Sequence, residues 1–289
     1  MLATVTVVGA CSTAPATGES SGRSGTPAAT ATTSVRPSGS TTTSRPAAAV
    51  HLPPTTGAFD YQLDEPYPPA GGVTVVVRDR ESPSPSDRYG VCYVNAFQTQ
   101  PQDRDAWLRD RAALVLRHAS GAPVTDPGWP GELLIDIGRP ALRQAAATVV
   151  SAQLDTCVGQ GFEAVELDNL DSWTRSGGRL TQADAAAYAR LLVAAAHARG
   201  LAVAQKNTVE LLDAPGRPAF DFAVTEDCGR YEECGAFTRV YGTRVLDVEY
   251  TDRGFAAACR TSPSVRVVRR DLELVAPGGA GHVLRYCTP

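Results

Sequence analysis

No stretch of the sequence approaches the roughly 18–20 consecutive apolar residues that a membrane-crossing helix needs. Surplus positive charge is missing too. Lys and Arg number 27 against 31 Asp and Glu, a net charge of −4, which excludes nucleic-acid binding through a basic surface. There is no CxxC pair, and His51, His118, His197 and His282 are scattered without ligand spacing, so no metal site is expected. No glycine-rich turn joins a first strand to a helix. That argues against a dinucleotide or phosphate-loop fold, and no cofactor is expected. Lysine itself is nearly absent: Lys206 is the single one, and every other basic residue is Arg.

What is present is unevenly distributed. The chain opens on a short apolar run ending in Val8-Gly9-Ala10-Cys11, which looks like the end of a bacterial lipoprotein signal with Cys11 as the lipidated residue. The run is short and has no basic residue before it, so segment 1–11 reads as a truncated signal. Of the 45 residues from 12 to 56, 37 are Ser, Thr, Pro, Ala or Gly. So little apolar surface cannot offset the entropy of ordering, and a disordered linker is expected there. An anchor followed by such a tether suits an extracellular or cell-surface protein whose one contact with the membrane is its lipid. The folded part is expected over 57–289, as a monomer.

Removing Cys11 leaves six cysteines, an even number that suggests disulfides in an exported chain. Cys228 and Cys234 are close enough to close a short loop. Cys259 with Cys287 makes a second bridge, and Cys92 with Cys157 is the pair that remains.

Eight apolar, β-branched runs recur: Val73–Arg78, Gly90–Phe97, Glu132–Ile137, Glu163–Leu167, Leu201–Gln205, Phe220–Thr225, Arg244–Glu249 and Ser264–Arg270. Several are nearly continuous, as strands covered on both faces should be. Helical stripes fall between them, clearest over Thr181–Arg199, with Thr181 and Asp184 at capping-box spacing and Gly200 closing it, and over Pro140–Gly161. Asp105–His118 is a weaker third. This rhythm predicts an α/β fold, a (β/α)8 TIM barrel behind the disordered Ser/Thr/Pro/Ala-rich segment, with a doubly wound open sheet as the alternative.

Polar residues gather where the runs end: Asp79, Asn95, Asp136, then Glu166 to Asp171, Gln205-Lys206-Asn207, Thr225-Glu226-Asp227, Asp247-Val248-Glu249 and Arg270-Asp271. In a barrel these ends share one rim. Each acid alone could be a helix cap. Massed carboxylates repel one another and are kept where a cation or acid–base chemistry uses them. Lys206, at a strand end, is suited to pair with them. Tyr93, Trp173, Tyr231 and Tyr250 offer flat faces for a sugar ring or, equally, core anchors.

Phe59-Asp60-Tyr61-Gln62-Leu63, Cys92-Tyr93-Val94-Asn95, Trp129-Pro130-Gly131-Glu132, Glu166-Leu167-Asp168-Asn169-Leu170-Asp171, Gln205-Lys206-Asn207, Thr225-Glu226-Asp227-Cys228 with Cys234, and Val248-Glu249-Tyr250 occur in that order. Together they resemble glycoside hydrolase family 114, the endo-α-1,4-polygalactosaminidase-like TIM barrels, over about 59–275. The resemblance implies endo-cleavage of α-1,4-linked, galactosamine-containing polysaccharide, an amino-sugar or otherwise cationic partner. It implies two catalytic carboxylates, Asp168 and Glu226, and a lysine–asparagine pair, Lys206 and Asn207. Leu167 and Thr225 depart from the Pro and Asn frequent in the family. A retaining reaction is expected, with Lys206 keeping Asp168 ionised and a drier setting around Glu226. Asn169, Asp171, Asp136, Glu249 and Asp271, with Asp79, Tyr93, Asn95, Trp173, Tyr231 and Tyr250, complete the expected substrate-binding set. Two other classes remain open: a Schiff-base lyase or aldolase using Lys206, and a carbohydrate-binding surface lipoprotein without catalysis.

Overall fold

The computed structural model describes residues 49–287, so the expected signal with Cys11 and most of the expected linker lie outside the described residues. Nine strands form one sheet in chain order: β1 (Ala58–Gln62), β2 (Val73–Asp79), β3 (Tyr89–Asn95), β4 (Ala164–Asp168), β5 (Ala202–Lys206), β6 (Phe222–Glu226), β7 (Val245–Glu249), β8 (Arg266–Arg270) and β9 (Leu284–Tyr286). The first eight pair in parallel, and β9 adds antiparallel to β8. β1 lies beside β8, and the Arg270 guanidinium donates to the Tyr61 carbonyl across that seam. The sheet is thus a nearly closed TIM-type barrel.

Two strand expectations are corrected. Glu132–Ile137 is not a barrel strand. It makes isolated antiparallel bridges to Gln98, Val115 and Thr125 in a long excursion after β3. Leu133, Leu134, Ile135 and Ile137 are buried there, so a continuous apolar run signalled burial rather than barrel register. The overlooked strand is β1, whose polar Asp60 and Gln62 interrupt its apolar pattern. Both are buried in a satisfied network: Asp60 accepts from Tyr67 Oη (2.8 Å) and Gln62 Nε2 (2.8 Å), and Gln62 accepts from Arg78 Nε (3.0 Å). One strand too many and one too few cancel, so β4 to β8 keep their expected order.

Five α-helices pack outside: α1 (Arg104–Asp110), α2 (Pro140–Gly159), α3 (Gln182–His197), α4 (Cys234–Tyr241) and α5 (Asp252–Thr261). Thr181 and Asp184 close the capping box of α3 reciprocally, at 3.2 and 3.0 Å. α1 stops at Asp110, short of the expected His118. Among the described residues the connections after β1, β2, β5 and β8 contain no α-helix. Pro66, Pro68 and Pro69 in the first and Pro83 and Pro85 in the second supply no backbone donor for one.

The core has two layers set by strand alternation. Phe59, Val75, Val91, Ala164, Ala202, Phe222, Leu246 and Val268 fill the barrel. Val94, Leu167, Val203 and Val245 face outward into the layer shared with the helices, Val245 of β7 on the side of α4 and α5. Parity along a strand therefore decides whether a polar residue can enter the barrel mouth.

Disulfides join Cys92–Cys157 (β3 to α2), Cys228–Cys234 (across the β6–α4 loop) and Cys259–Cys287 (α5 to the chain after β9). Three bridges point to secretion into an oxidising compartment. The last part of the expected linker lies on the barrel: Pro53 is buried, and Tyr89 Oη donates to the His51 carbonyl at 2.6 Å.

Candidate active site

Asp168, Lys206 and Glu226 are the last residues of β4, β5 and β6, each on the inward parity. The residue after each adopts a left-handed backbone: Asn169 (φ 63°), Asn207 (φ 45°) and Asp227 (φ 57°). Asn and Asp tolerate that region better than other side chains, which explains the recurring pairs Asp-Asn, Lys-Asn and Glu-Asp. These turn residues also brace their neighbours. Asn207 Oδ1 accepts from Glu226 N (2.7 Å), Asp227 Oδ1 from Tyr250 N (3.0 Å), and Asn169 Nδ2 donates to Asn95 Oδ1 (2.9 Å).

Lys206 is the hub. Its Nζ lies 2.7 Å from Glu166 Oε1, 3.3 Å from Asp168 Oδ1 and 3.4 Å from Glu226 Oε2. Each carboxylate also has its own tyrosine: Tyr61 Oη donates to Glu166 (2.8 Å), Tyr93 to Asp168 (2.8 Å) and Tyr250 to Glu226 (2.5 Å). Burial pushes all three phenols well above their ordinary range, so they stay protonated donors. Burial alone would lower Lys206. Asp168, Glu166 and Glu226 outweigh it and hold the ammonium well above the usual lysine range. Burial likewise disfavours charge on Asp168, but Lys206, Tyr93 and the Asn169 N–H hold its carboxyl below the usual aspartate value. Glu166, fully enclosed, is pushed by burial up to about 7 against the pull of Lys206.

The hub floors a cavity of about 900 Å³, near the upper end of ordinary small-ligand pockets at about 300–1,000 Å³. Its wall carries Asp64, Asp79, Asp126, Glu132, Asp171 and Glu273 besides Asp168 and Glu226, against only Lys206 and Arg175. Arg175 is committed: it grips Asp171 through two bonds (2.7 and 2.9 Å) and lies 2.6 Å from Asp126. The remaining wall is net negative, which suits a cationic ligand. Glu132 accepts from Asn95 Nδ2 at 2.8 Å, and burial pushes it up to about 7.

Of the residues expected to bind substrate, Asp79, Tyr93, Asn169, Asp171, Lys206, Asn207 and Tyr250 line this cavity with Asp168 and Glu226. The others do not, and each has a physical reason. Asn95 is buried behind Glu132 and Asn169. Asp136 caps a turn, accepting from Gly138 N. Trp173 packs against the outer core. Tyr231 is exposed under the Arg230 guanidinium. Glu249 is on the outward parity of β7 and accepts from Gly229 N. Asp271 ties its own loop by accepting from Val275 N and Val283 N. The drier setting expected at Glu226 is not found, since its side chain is 30% exposed against 18% for Asp168. Residues not anticipated are Tyr61, Glu166, Glu132, Trp129 and Arg175. Glu166 was accessible to reasoning, because it sits two residues before Asp168 and therefore on the same strand face.

The sequence profile of Glycoside-hydrolase family GH114 matches residues 39–289. The chain belongs to that family. GH114 membership makes it a glycoside hydrolase and accounts for the barrel. Among solved structures it is similar to Ega3 of Aspergillus fumigatus in complex with galactosamine, at 22% identity, TM-score 0.65, over 83% of this chain and 98% of that one. It is also similar to the glycoside hydrolase domain of PelA from Pseudomonas aeruginosa, at 18% identity, TM-score 0.55, over 79% and 98%. At such identities the likeness is one of fold. A curated relative, an uncharacterized protein of Deinococcus radiodurans, is 35% identical over 107 residues, 34% of this chain. The match spans only 33% of that relative's length.

Proposed function

We propose that this GH114 enzyme cleaves α-1,4-linked, galactosamine-containing polysaccharide from within the chain, with Asp168 as nucleophile and Glu226 as general acid/base. The observation that carries the reading is the pair of carboxylates meeting at one ammonium. Both lie within 3.4 Å of Lys206 Nζ, so their facing oxygens are no further apart than twice that distance. This favours the separation of about 5–5.5 Å typical of retaining enzymes over the roughly 6.5–9.5 Å of inverting ones. Asp168, held as the anion, attacks the anomeric carbon while Glu226, as general acid, gives a proton to the leaving oxygen. Glu226, the more exposed of the two, then takes a proton from the water that releases Asp168. The acid-rich wall supports an amino-sugar substrate, in line with the galactosamine bound by Ega3. The cavity's size supports internal cleavage.

Lys206 speaks against the lyase or aldolase reading, because an amine held protonated among three carboxylates has no free lone pair for a Schiff base. The disulfides and the Ser/Thr/Pro-rich segment support a cell-surface enzyme anchored through Cys11. The test is incubation with partly deacetylated polygalactosamine, with mass spectrometry of the oligomers and NMR of the anomeric configuration first released. Internal oligomers of retained configuration are expected. Asp168→Asn and Glu226→Gln should each abolish their release while folding is preserved. Turnover surviving in either variant overturns the assignment.

A further inference from the structure

We propose that Trp129 is the stacking platform of a second sugar subsite at the cavity mouth, holding an amino-sugar ring of a chain whose neighbouring ring sits between Asp168 and Glu226. The inference rests on the substrate reading above and adds to it where the chain is held.

Five large apolar side chains are exposed among the described residues: Leu52, Trp129, Val158, Tyr231 and Leu272. Only Trp129 and Leu272 line the cavity that holds Asp168 and Glu226. Trp129 is 56% exposed, whereas Trp107 is 3% exposed and Trp173 packs on the core. An indole left in water beside an acid-lined cavity has a face available to a ligand. Among the described residues no aromatic ring or cation stacks on it.

The turn that carries the indole is clamped. Glu132 N donates to the Trp129 carbonyl at 2.8 Å. The buried Asp126 accepts from Gly128 N (2.8 Å) and Trp129 N (3.3 Å) through Oδ1. Its Oδ2 accepts from Gln98 Nε2 (2.8 Å) and lies 2.6 Å from Arg175 Nε. Arg175 in turn grips Asp171 and Asn169, immediately after Asp168. The backbone that carries the ring is thus fixed relative to the reacting carboxylates before any ligand arrives, leaving only the two indole torsions to order on binding, which limits the entropy lost. The chemistry matches an amino sugar twice. The axial hydroxyl of a galacto-configured ring leaves one face of C–H groups to lie on the indole, and a neighbouring ammonium is attracted to the same π-face.

The test uses Asp168→Asn enzyme, which leaves oligomers intact, titrated with galactosamine and with α-1,4-galactosamine oligomers of increasing length while tryptophan emission is followed. Oligomers long enough to reach Trp129 should change the emission, and the monomer should not. Adding Trp129→Ala should weaken binding of long oligomers about tenfold and of the monomer less than about twofold, and Trp129→Phe should restore most of the loss. An unchanged thermal midpoint controls for folding, which an exposed ring should not affect. Equal loss for monomer and oligomer, or no loss for either, overturns the proposal. If wild type cleaves the polymer but Trp129→Ala binds oligomers normally, the platform alone fails. If wild type neither binds nor cleaves it, the substrate reading falls and the platform with it.

Discussion

Two strands of the barrel each carry a pair of carboxylates at the same spacing. On β4, Glu166 and Asp168 point inward; on β7, Asp247 and Glu249 point outward. All four are enclosed or nearly so, yet Asp168 and Asp247 shift in opposite directions, while Glu166 and Glu249 are both raised. The inner pair shares a lysine at 2.7 and 3.3 Å. The outer pair has only neutral donors: Thr225 Oγ1 and Cys228 N to Asp247, and Gly229 N to Glu249. No donor from elsewhere reaches Asp247 Oδ2 or Glu249 Oε2, and the two acids bond each other, which needs a proton on Asp247. Burial, then the neighbouring Glu249, pushes Asp247 well above the usual aspartate range, while Asp168 falls below it. Burial disfavours charge in both places. One ammonium is what lets β4 keep an anion, and its absence makes β7 a proton-holding brace for the β6–α4 loop.

The hardest blow to that contrast is Lys206→Met, which leaves three carboxylates around a dry, apolar side chain. Removing one member of a buried ion pair typically costs about 3–5 kcal/mol, and urea unfolding at neutral pH should show a loss of that size. The loss should shrink in acid, where the stranded carboxyls can take up protons. A loss well under about 1 kcal/mol would mean that the anions do not depend on the cation.

Asp168→Asn comes next. Hydrogen bonds to a charged group contribute about 1.5–3 kcal/mol, and Asp168 receives them from Tyr93, Asn169 N and Lys206. Its folded value lies below its unfolded one, so its stabilisation is present above the unfolded pKa of about 3.9 and is lost as pH falls through the folded value. Wild type and variant should therefore converge in stability below that window. A constant difference at every pH would show that the contribution is packing and not charge.

The same contrast shows what could be read without coordinates. Asp168, Lys206 and Glu226 were visible because each lies at the end of an apolar run, Lys206 is the chain's single lysine, and the family resemblance marks the two acids. Glu249 fulfilled the first condition too, and only strand parity, read against Leu246 and Val248 in the barrel, sends it to the outer layer. Asp136 and Asp271 ended runs as turn and loop ties. Tyr61 was hidden because the buried polar residues of β1 disguise a strand. Glu132 was hidden because its apolar neighbours imitate one. The order of β4 to β8 depends on periodicity, and the short Cys228–Cys234 loop on spacing, both of which a chain displays openly. The partners of a buried carboxyl depend on which strands close beside it.

Asp247→Asn should be mild and of opposite sign to Asp168→Asn. The amide imitates a protonated acid in shape, so the change should stay within about 1 kcal/mol at pH 5. Because the folded pKa of Asp247 is raised, the wild type holds more protons folded than unfolded from about pH 4 upward. Its stability therefore declines as pH rises towards the folded value, and the variant escapes that decline. Thermal melts should show the variant gaining on wild type between pH 5 and 8. A variant that falls further behind over that range would mean that Asp247 is ionised in the fold.

Glu132 tests the contrast with the smallest effect, because it has no lysine beside it. Asn95 is its donor, while Asp168 and Asp126 add to the upward push of burial and Arg175 opposes it. The result is a carboxyl that titrates at about 7 on the cavity wall. A substrate ammonium beside it would act as Lys206 acts on Asp168, favouring the charged form. Binding should then tighten as pH rises through about 7, so KM should fall while kcat follows the reacting pair. Glu132→Gln should remove that part of the KM profile and raise KM a few-fold above pH 7, with little change below pH 6. Since the sugar amine titrates equally for both enzymes, the ratio of their KM values isolates Glu132. A ratio that does not vary with pH would show that the carboxyl makes no use of a ligand's charge, and that only Lys206 supports buried anions in this barrel.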